Sequence, residues 1–466
     1  MKETILNRRK EKHHMSPTRQ IALSFLLVIF IGSLLLSLPI SNNGISTDYI
    51  NHLFTATSAT CVTGLITVIP AEQYTIFGQI VVIILIQIGG LGFLTFLYLL
   101  YIKIRRKLSL NHKMVLQEVL NKDNLQDLPK MTKDIIKYTF VVEGIGALLL
   151  MLVFVPEYGA KGIYYGIFHS VSAFCNAGFD VLGSNSLIGY QTNIIITLVI
   201  PGLIILGGLG FIVWFNIRDV FKQERKRMKK FKLRHFLSKL SVHSKVVIVV
   251  TVILLVSGTV LFYISECNNP DTIGKLSFFD QLQVSFFQSA TLRTAGFVST
   301  DMMALRTSTK LMICIYMFIG GSPLGTAGGI KTVTFAIAML MIYNTYRGNK
   351  ELFVFHRRIK KRIIVRSFTI ISMAIMIALS SLFVLSMTEN KAFIDLCVEV
   401  FSAFATVGLT AGVTPDLSVI GKCIIMALMY IGRIGSITML ISIARKSHSK
   451  KHAVEIQYPD EDVILG

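Results

Sequence analysis

Apolar residues fall in long runs along this chain, and the runs come in pairs. The helices they predict cover 20–40 and 74–101, 135–155 and 191–216, 246–265 and 309–343, and 363–387 and 420–444. Runs of about 20 apolar residues or more can cross roughly 30 Å of hydrocarbon as helices. Between the members of each pair lies a shorter stretch that ends in a glycine-bearing segment: "LFTATSATCVTGL", "IFHSVSAFCNAGF", "SFFQSATLRTAGF" and "VFSAFATVGLTAG". The glycines Gly64, Gly178, Gly296 and Gly408 are separated by 114, 118 and 112 residues. Three of the four carry Ser-Ala six and five residues before the glycine; in the third the pair is displaced by one. A period this regular over the whole chain indicates an internal repeat. Each unit reads as helix, short re-entrant helix, glycine-bearing loop, helix.

Composition agrees with that plan. Of 466 residues, 53% are hydrophobic and only 16% charged, and mean hydropathy is +0.63. This predicts an all-α polytopic membrane protein with eight membrane helices. The basic N-terminus is followed by a long apolar run without a small-residue cleavage site, which reads as a first membrane helix rather than a signal peptide. The six cysteines (61, 175, 267, 314, 397, 423) show no CxxC and no spacing with His for zinc, so neither a disulfide framework nor a structural metal site is expected. The ten histidines form no cluster, and His52 and His169 on the re-entrant helices read as packing residues.

The net charge of +21 would suggest nucleic acid on a soluble chain. Its placement points elsewhere. Of 47 Lys and Arg, 39 lie in 1–19, 101–137, 217–245, 331–366 and 445–451, blocks that fall at the junctions between repeats and at the two ends of the chain. By the positive-inside rule these blocks are cytoplasmic, and no nucleic-acid partner is expected. The predicted organisation is a cytoplasmic N-terminus over 1–19, repeat 1 over 20–106 and a linker over 107–134. Repeat 2 covers 135–216 and a basic linker 217–245. Repeat 3 covers 246–345, a linker 346–362, repeat 4 363–444 and a cytoplasmic tail 445–466. The 217–245 and 346–366 blocks read equally as solvated faces or as docking sites for an acidic partner or anionic membrane lipid.

Non-helical backbone at membrane depth is tolerated only where it is buried in protein or lines a water-filled cavity. Four equivalent loops can surround one axis in a pseudo-fourfold arrangement. Their carbonyls can then replace the hydration shell of a cation. Glycine allows the backbone conformations such a loop requires. The C-terminal ends of the short helices would point partial negative charge at the axis, favouring cations. The expected filter residues are Cys61, Val62, Thr63 and Gly64; Cys175, Asn176, Ala177 and Gly178; Thr294, Ala295 and Gly296; and Ala405, Thr406, Val407 and Gly408. Arg293, in the third loop, is expected to anchor that loop behind the pore, since a guanidinium in a cation filter would repel the ion. The Cys61 thiol is expected to point away from the axis.

The motifs "TCVTG", "CNAGF", "RTAGF" and "TVGLT" resemble the filters of the Trk/Ktr/HKT superfamily of potassium transporters, over essentially the whole chain. The length, "RGNKE" after the sixth span and the terminal "YPDEDVILG" are most similar to the Ktr-type membrane subunit. The resemblance implies a potassium (K+) pore in each subunit, homodimerisation, and a cytosolic ring-forming regulatory partner with nucleotide-binding domains. It implies no organic cofactor in this chain, and leaves sodium (Na+) coupling or conduction as the alternative. The four filter segments differ chemically, so discrimination against sodium is expected to be weaker than in a uniform ring. Cys61 stands where threonine is common in the family.

Two features lie beneath the filter. The sixth span contains "GGSPLGTAGGIK" at 320–331, with five glycines and a proline, a combination that breaks a helix. It matches the intramembrane gating loop of the family, so Gly320, Gly321, Ser322, Pro323, Leu324, Gly325, Thr326, Ala327, Gly328, Gly329 and Lys331 are gate candidates. The alternative is close helix packing through small residues. Leu324 is larger than the residues usual after that proline. Arg433, in "YIGRIGSITML", sits about 11 residues from the near end of the last span, roughly 16 Å deep at 1.5 Å per residue. A lipid-facing arginine there costs about 2.5–3.5 kcal/mol on insertion scales, so it should face the pore or a partner. Aligned on glycines, it matches Gly90 and Gly208. It reads as an electrostatic barrier to cations, or as a structural arginine bonding carbonyls.

A membrane enzyme or redox subunit is disfavoured: no span offers paired histidines, no HExxH occurs, and Glu143 is the main acidic residue inside a span. An alternating-access carrier would place its site between inverted repeats, whereas these repeats run in the same direction.

Overall fold

The computed structural model describes residues 17–92, 128–183, 186–227, 233–349 and 351–435. The expected "YPDEDVILG" tail, most of the N-terminal basic block and much of the first linker lie outside those residues.

Each repeat begins with a long helix: α1 (Pro17–Ser37), α4 (Leu128–Tyr158), α8 (Val242–Glu266) and α12 (Lys361–Thr388). Among the described residues these four contain the single helices long and apolar enough to cross a membrane, and the bent pair 194–208 with 211–226 passes the same test taken together. A short helix follows: α2 (Tyr49–Cys61), α5 (Ala160–Cys175), α9 (Phe278–Thr291) and α13 (Phe393–Ala405). The second long element comprises α3 (Ile76–Leu91) in repeat 1, α6 (Ile194–Gly208) with α7 (Phe211–Arg227) in repeat 2, α10 (Thr307–Phe318) with α11 (Thr332–Tyr346) in repeat 3, and α14 (Val419–Ile434) in repeat 4. A small hairpin pairs Phe353–Val354 with Arg357–Arg358 between repeats 3 and 4.

The burial pattern suits a bilayer. Leu148, Val256 and Met376 on the long helices are more than half exposed, while Thr55, Thr57, Ser58 and Thr60 on α2 are buried. Lipid solvates the apolar exterior, and polar groups gather inside, where they find partners. The second elements start at capped ends: Thr75, Asn193 and Ser418 accept hydrogen bonds from N–H groups of the first turn, which satisfies donors the helix leaves free. In repeat 3 the N-cap Arg306 makes no side-chain cap, and its own N–H donates to the carboxylate of buried Glu266 at 3.0 Å.

The repeats pack in a cycle. Helix α3 of repeat 1 contacts α5 of repeat 2, α6 contacts α9 of repeat 3, α10 contacts α13 of repeat 4, and α14 contacts α2 of repeat 1.

Two predicted helices differ from the structure. The 309–343 run is interrupted between Phe318 and Thr332, as its glycines and proline suggest. The 191–216 run is also broken, at Leu209–Gly210, where α6 and α7 meet at 92°. In repeats 1 and 4, α3 and α14 stop at the equivalent level, and the rest of the helices predicted over 74–101 and 420–444 lies outside the described residues. Gly92, Gly210 and Gly435 all have positive φ, at 82°, 86° and 92°, a region a side chain resists. The motif behind these breaks is legible as "GGLG", "GGLG" and "GRIG" at 89–92, 207–210 and 432–435. Lys331, one of the gate candidates, ends the repeat 3 loop as the N-cap residue of α11.

Candidate functional site

The short helices α2, α5 and α13 end alike. Val62, Asn176 and Thr406 adopt the left-handed conformation, with φ of 57°, 61° and 54°. The N–H groups of Thr63, Ala177 and Val407 reach back to the carbonyls of Ser58, Ser172 and Ser402, each at 2.8 Å. This is a Schellman cap, and it turns the chain sharply into the glycine two residues on. In α9 the extra residue changes the cap: Ala295 donates to Thr291 at 2.9 Å, and Thr294 takes the left-handed position at φ 68°. The displaced Ser-Ala pair of the third repeat has this cause. There Thr291, not Ser289, donates its hydroxyl behind the loop, to the carbonyl of Phe297 at 2.9 Å. Ser172 donates likewise to Phe179 at 2.7 Å, while Ser58 and Ser402 accept from the N–H of Gly64 and Gly408.

All four loop glycines have positive φ, from 68° to 96°. Each lies against the next repeat. A Cβ on Gly64 would collide with the carbonyl oxygen of Ala177, one on Gly178 with that of Ala295, one on Gly296 with that of Val407, and one on Gly408 with that of Thr63. Four loops spaced over more than 340 residues of sequence therefore close a ring, in the same order as the helices. The carbonyls of Thr63, Ala177, Ala295 and Val407 occupy equivalent places in it. A second layer of glycines repeats below. Gly89, Gly207 and Gly432 leave room for the carbonyls of Thr60, Phe174 and Phe404 at the ends of the short helices, and a Cβ at any of them would overlap the oxygen. The concentration of carbonyl oxygens around one axis suits a desolvated cation. Among the described residues no group of three or more His, Cys, Asp or Glu side chains could hold a metal ion.

The residues three before the glycines sit behind this ring. Cys61 is fully buried in an apolar cluster with Phe54, Leu65 and Met429. Cys175 lies 3.7 Å from Gln87 Oε1 and 3.8 Å from Glu143 Oε1, and Gln87 Nε2 donates to Glu143 at 3.2 Å. Glu143, which drew little attention in the sequence, is thus a buried acid one side chain behind the second filter loop. Its spacing along α4 carries no signal for this; only the fold brings α3, α4 and α5 together. Arg293 differs from its expected anchoring role. Its guanidinium is buried with no hydrogen-bond partner among the described residues, and the loop is tied instead through its backbone carbonyl, which accepts from Asn176 Nδ2 at 3.1 Å. His52 shares a 3.1 Å hydrogen bond with Tyr74, and the His169 ring lies tilted against Phe154 with centroids 5.2 Å apart.

The segment between α10 and α11 crosses beneath the ring. It enters with Gly320 N–H donating to Ile330 at 2.9 Å and leaves with Thr332 N–H donating to Gly321 at 3.0 Å. Hydroxyls of Ser322 and Thr332 meet at 3.0 Å. The loop rests on the break between α6 and α7. Ser322 and Thr326 N–H groups donate to Gly208 (2.9 Å) and Gly207 (3.2 Å), and Phe211 N–H donates to Leu324 (3.0 Å). The Pro323 carbonyl lies against Gly210, where a Cβ would not fit. Leu324 takes the left-handed conformation at φ 57° and packs on the repeat 1–2 core; Gly325 closes the turn onto Ser322 at 3.2 Å. Thr326 Oγ1 lies 3.0 Å from both the Phe174 carbonyl and Asn176 Oδ1. Lys331 Nζ donates to Ala327 at 2.6 Å. Gly328 lies against the Thr406 side chain and Gly329 beside Ala405. Arg433 completes the arrangement: its guanidinium donates to the carbonyls of Thr326 and Gly89, and to Gly90 at 3.3 Å. The loop thereby touches the glycine-bearing segments of repeats 2 and 4 directly, and helix α3 of repeat 1 through Arg433.

Residues 4–453 match the model of a family described as TrkH, cation transport protein. The potassium/sodium uptake protein NtpJ of Enterococcus hirae is 41% identical, over 99% of this chain and 100% of its own length. The Ktr system potassium uptake protein B of Bacillus subtilis is 39% identical, with 97% of each covered. Among solved structures, the potassium transporter TrkH from Vibrio parahaemolyticus aligns with a TM-score of 0.73 over 94% of this chain and 87% of that one, at 16% identity, a likeness of fold.

Proposed function

Because the chain belongs to the TrkH family of cation transport proteins, and is a membrane transporter rather than an enzyme, we propose that it is the pore subunit of a potassium-uptake system. The observation that carries this reading is the closed cycle of glycines and carbonyls, Gly64 to Ala177, Gly178 to Ala295, Gly296 to Val407 and Gly408 to Thr63. In this reading Cys61–Gly64, Cys175–Gly178, Thr294–Gly296 and Ala405–Gly408 form the filter, and carbonyls strip water from the ion while the short helices direct partial negative charge toward it. The 320–331 loop is the gate. Arg433 and Lys331 place positive charge beneath the filter and oppose passage while the loop stays in place. Eight spans, with both termini cytoplasmic, put the ring toward the outside of the cell membrane. The protein acts as a homodimer with a cytosolic nucleotide-binding ring as regulator; the name of the Bacillus subtilis relative, a Ktr system protein, supports a system of more than one component.

A second reading, sodium-coupled or sodium-conducting flux, is favoured by the chemical inequality of the four loops and by the printed name of the Enterococcus hirae relative. Growth of a potassium-uptake-deficient cell on low potassium, with and without a regulatory subunit, tests the main reading. Rescue that depends on sodium favours the second, and no rescue under either condition overturns both.

A further inference from the structure

A groove of about 800 Å³ lies between helices α4 and α7. Its wall is aromatic and apolar, with Tyr138 and Val142 from α4 and Trp214 and Phe215 from α7. Its rim is basic. Lys130, Lys137 and Lys222 are exposed there, and none has a hydrogen bond or ion pair among the described residues. The two acids of the groove are already committed: Arg218 donates to Asp134 at 2.9 Å and to Asp219 at 3.2 Å, with its guanidinium 5.0 Å from the Phe215 ring. Four cations against two carboxylates leave the rim positive.

The same face of α4 carries Lys137 and then, at helical spacing, Val141, Ile145, Leu148 and Leu152. These four are 51%, 56%, 66% and 63% exposed. Cations at the end of a lipid-facing apolar stripe place the groove at a membrane interface, where a headgroup meets an acyl chain. A free anion would use the lysines and leave the stripe unused. An acidic protein partner would do the same.

We propose that this groove binds an anionic phospholipid, with its phosphate on Lys130, Lys137 and Lys222 and an acyl chain along the α4 stripe. Bound there, the lipid braces α7, whose first residue holds the 320–331 loop through the Phe211–Leu324 bond. Trp214 also ties the groove to the elbow, donating from Nε1 to the Leu206 carbonyl at 2.9 Å.

Trp214 is the only tryptophan in the chain, so its fluorescence reports on the groove alone. The purified protein is reconstituted in phosphatidylcholine vesicles containing an equal mole fraction of acyl-brominated phosphatidylglycerol or acyl-brominated phosphatidylcholine. The expected result is stronger quenching by the anionic lipid. Lys137→Gln with Lys222→Gln should bring the two lipids toward parity, with a loss of roughly five-fold in relative association per lysine. Lys360→Gln with Lys361→Gln, on a different basic turn, should keep the preference. Monodispersity and an unshifted Trp214 emission in the groove variant establish that it is folded, and the single Lys137→Gln replaces it if it is not. Equal quenching in the native protein overturns the proposal, as does a preference that survives the groove substitutions or is lost equally in the Lys360/Lys361 variant. Displacement of the brominated lipid by a polyglutamate peptide at matching concentration would assign the lysines to a protein partner instead.

Discussion

The backbone N–H of Ser322 donates to the carbonyl oxygen of Gly208 at 2.9 Å, joining the crossing loop of repeat 3 to the broken helix of repeat 2. Thr326 makes the same kind of bond to Gly207, and Phe211 returns one to Leu324 from the far side of the elbow. Loop and elbow are therefore one unit. Displacement of the loop must break these bonds or carry α7 with it.

Thr326→Val keeps the shape of the side chain and removes its hydroxyl contacts with the Phe174 carbonyl and Asn176. The hydroxyl has one proton for these two acceptors, so the bond lost contributes about 1 kcal/mol net. Rubidium flux into reconstituted vesicles should rise while the fold survives in detergent. Flux equal to that of the native protein would show that the loop does not restrain passage.

Gly178→Ala should abolish discrimination between potassium and sodium. Its Cβ would meet the Ala295 carbonyl, and at φ 68° a left-handed residue with a side chain costs about 1–2 kcal/mol. Gly44→Ala is the control, since Gly44 also has positive φ but nothing stands near its Cβ. Competition of sodium against rubidium uptake separates the two. A Gly178→Ala protein with native competition would remove the carbonyl ring from the mechanism.

Arg433→Gln should raise flux, because the positive charge is lost and the loop is released from Gly89 and Gly90. Arg433→Lys should raise it less. A single ammonium keeps the charge but lacks the planar fork that reaches several carbonyls at once. Identical flux in native, Lys and Gln proteins would leave Arg433 a purely structural residue.

Cys61→Thr should leave the potassium-to-sodium ratio unchanged, since Cys61 is packed among Phe54, Leu65 and Met429. Its added hydroxyl would lie in an apolar cluster at a cost of about 1–3 kcal/mol. A lowered denaturation midpoint with native selectivity is the expected pair of results. A changed ratio would place position 61 in contact with the ion.

Much of this plan is legible in the sequence because glycine leaves a strong mark. Gly64, Gly178, Gly296 and Gly408 sit where a left-handed backbone meets a neighbouring carbonyl, so their spacing reports the repeat directly. The interruption at 320–331 is legible for a similar reason, with five glycines and a proline in one run. The elbow at Gly210 is less so. Leucine and isoleucine surround it, and apolar periodicity reads straight through a single conformational break. What exposes it is the recurrence of "GGLG" at 89 and 207 and "GRIG" at 432, together with close packing of Gly89, Gly207 and Gly432 on short-helix carbonyls. The Glu143–Gln87–Cys175 contact and the unpartnered Arg293 guanidinium depend on three-dimensional neighbours from different repeats. No local pattern encodes them.

The ring joins its last member to its first. Gly408 rests on the Thr63 carbonyl, Lys422 Nζ donates to Asn51 at 2.9 Å, and Tyr430 donates to the Ala22 carbonyl at 2.7 Å. During synthesis the first three repeats enter the bilayer long before the fourth exists. Until then one side of the assembly stands open, and the polar edge of α2 has no protein to cover it. Hydrocarbon cannot satisfy those groups. A chain that stops before residue 408 therefore lacks the contact that closes the ring, and the polar face of α2 is left without its repeat 4 neighbour.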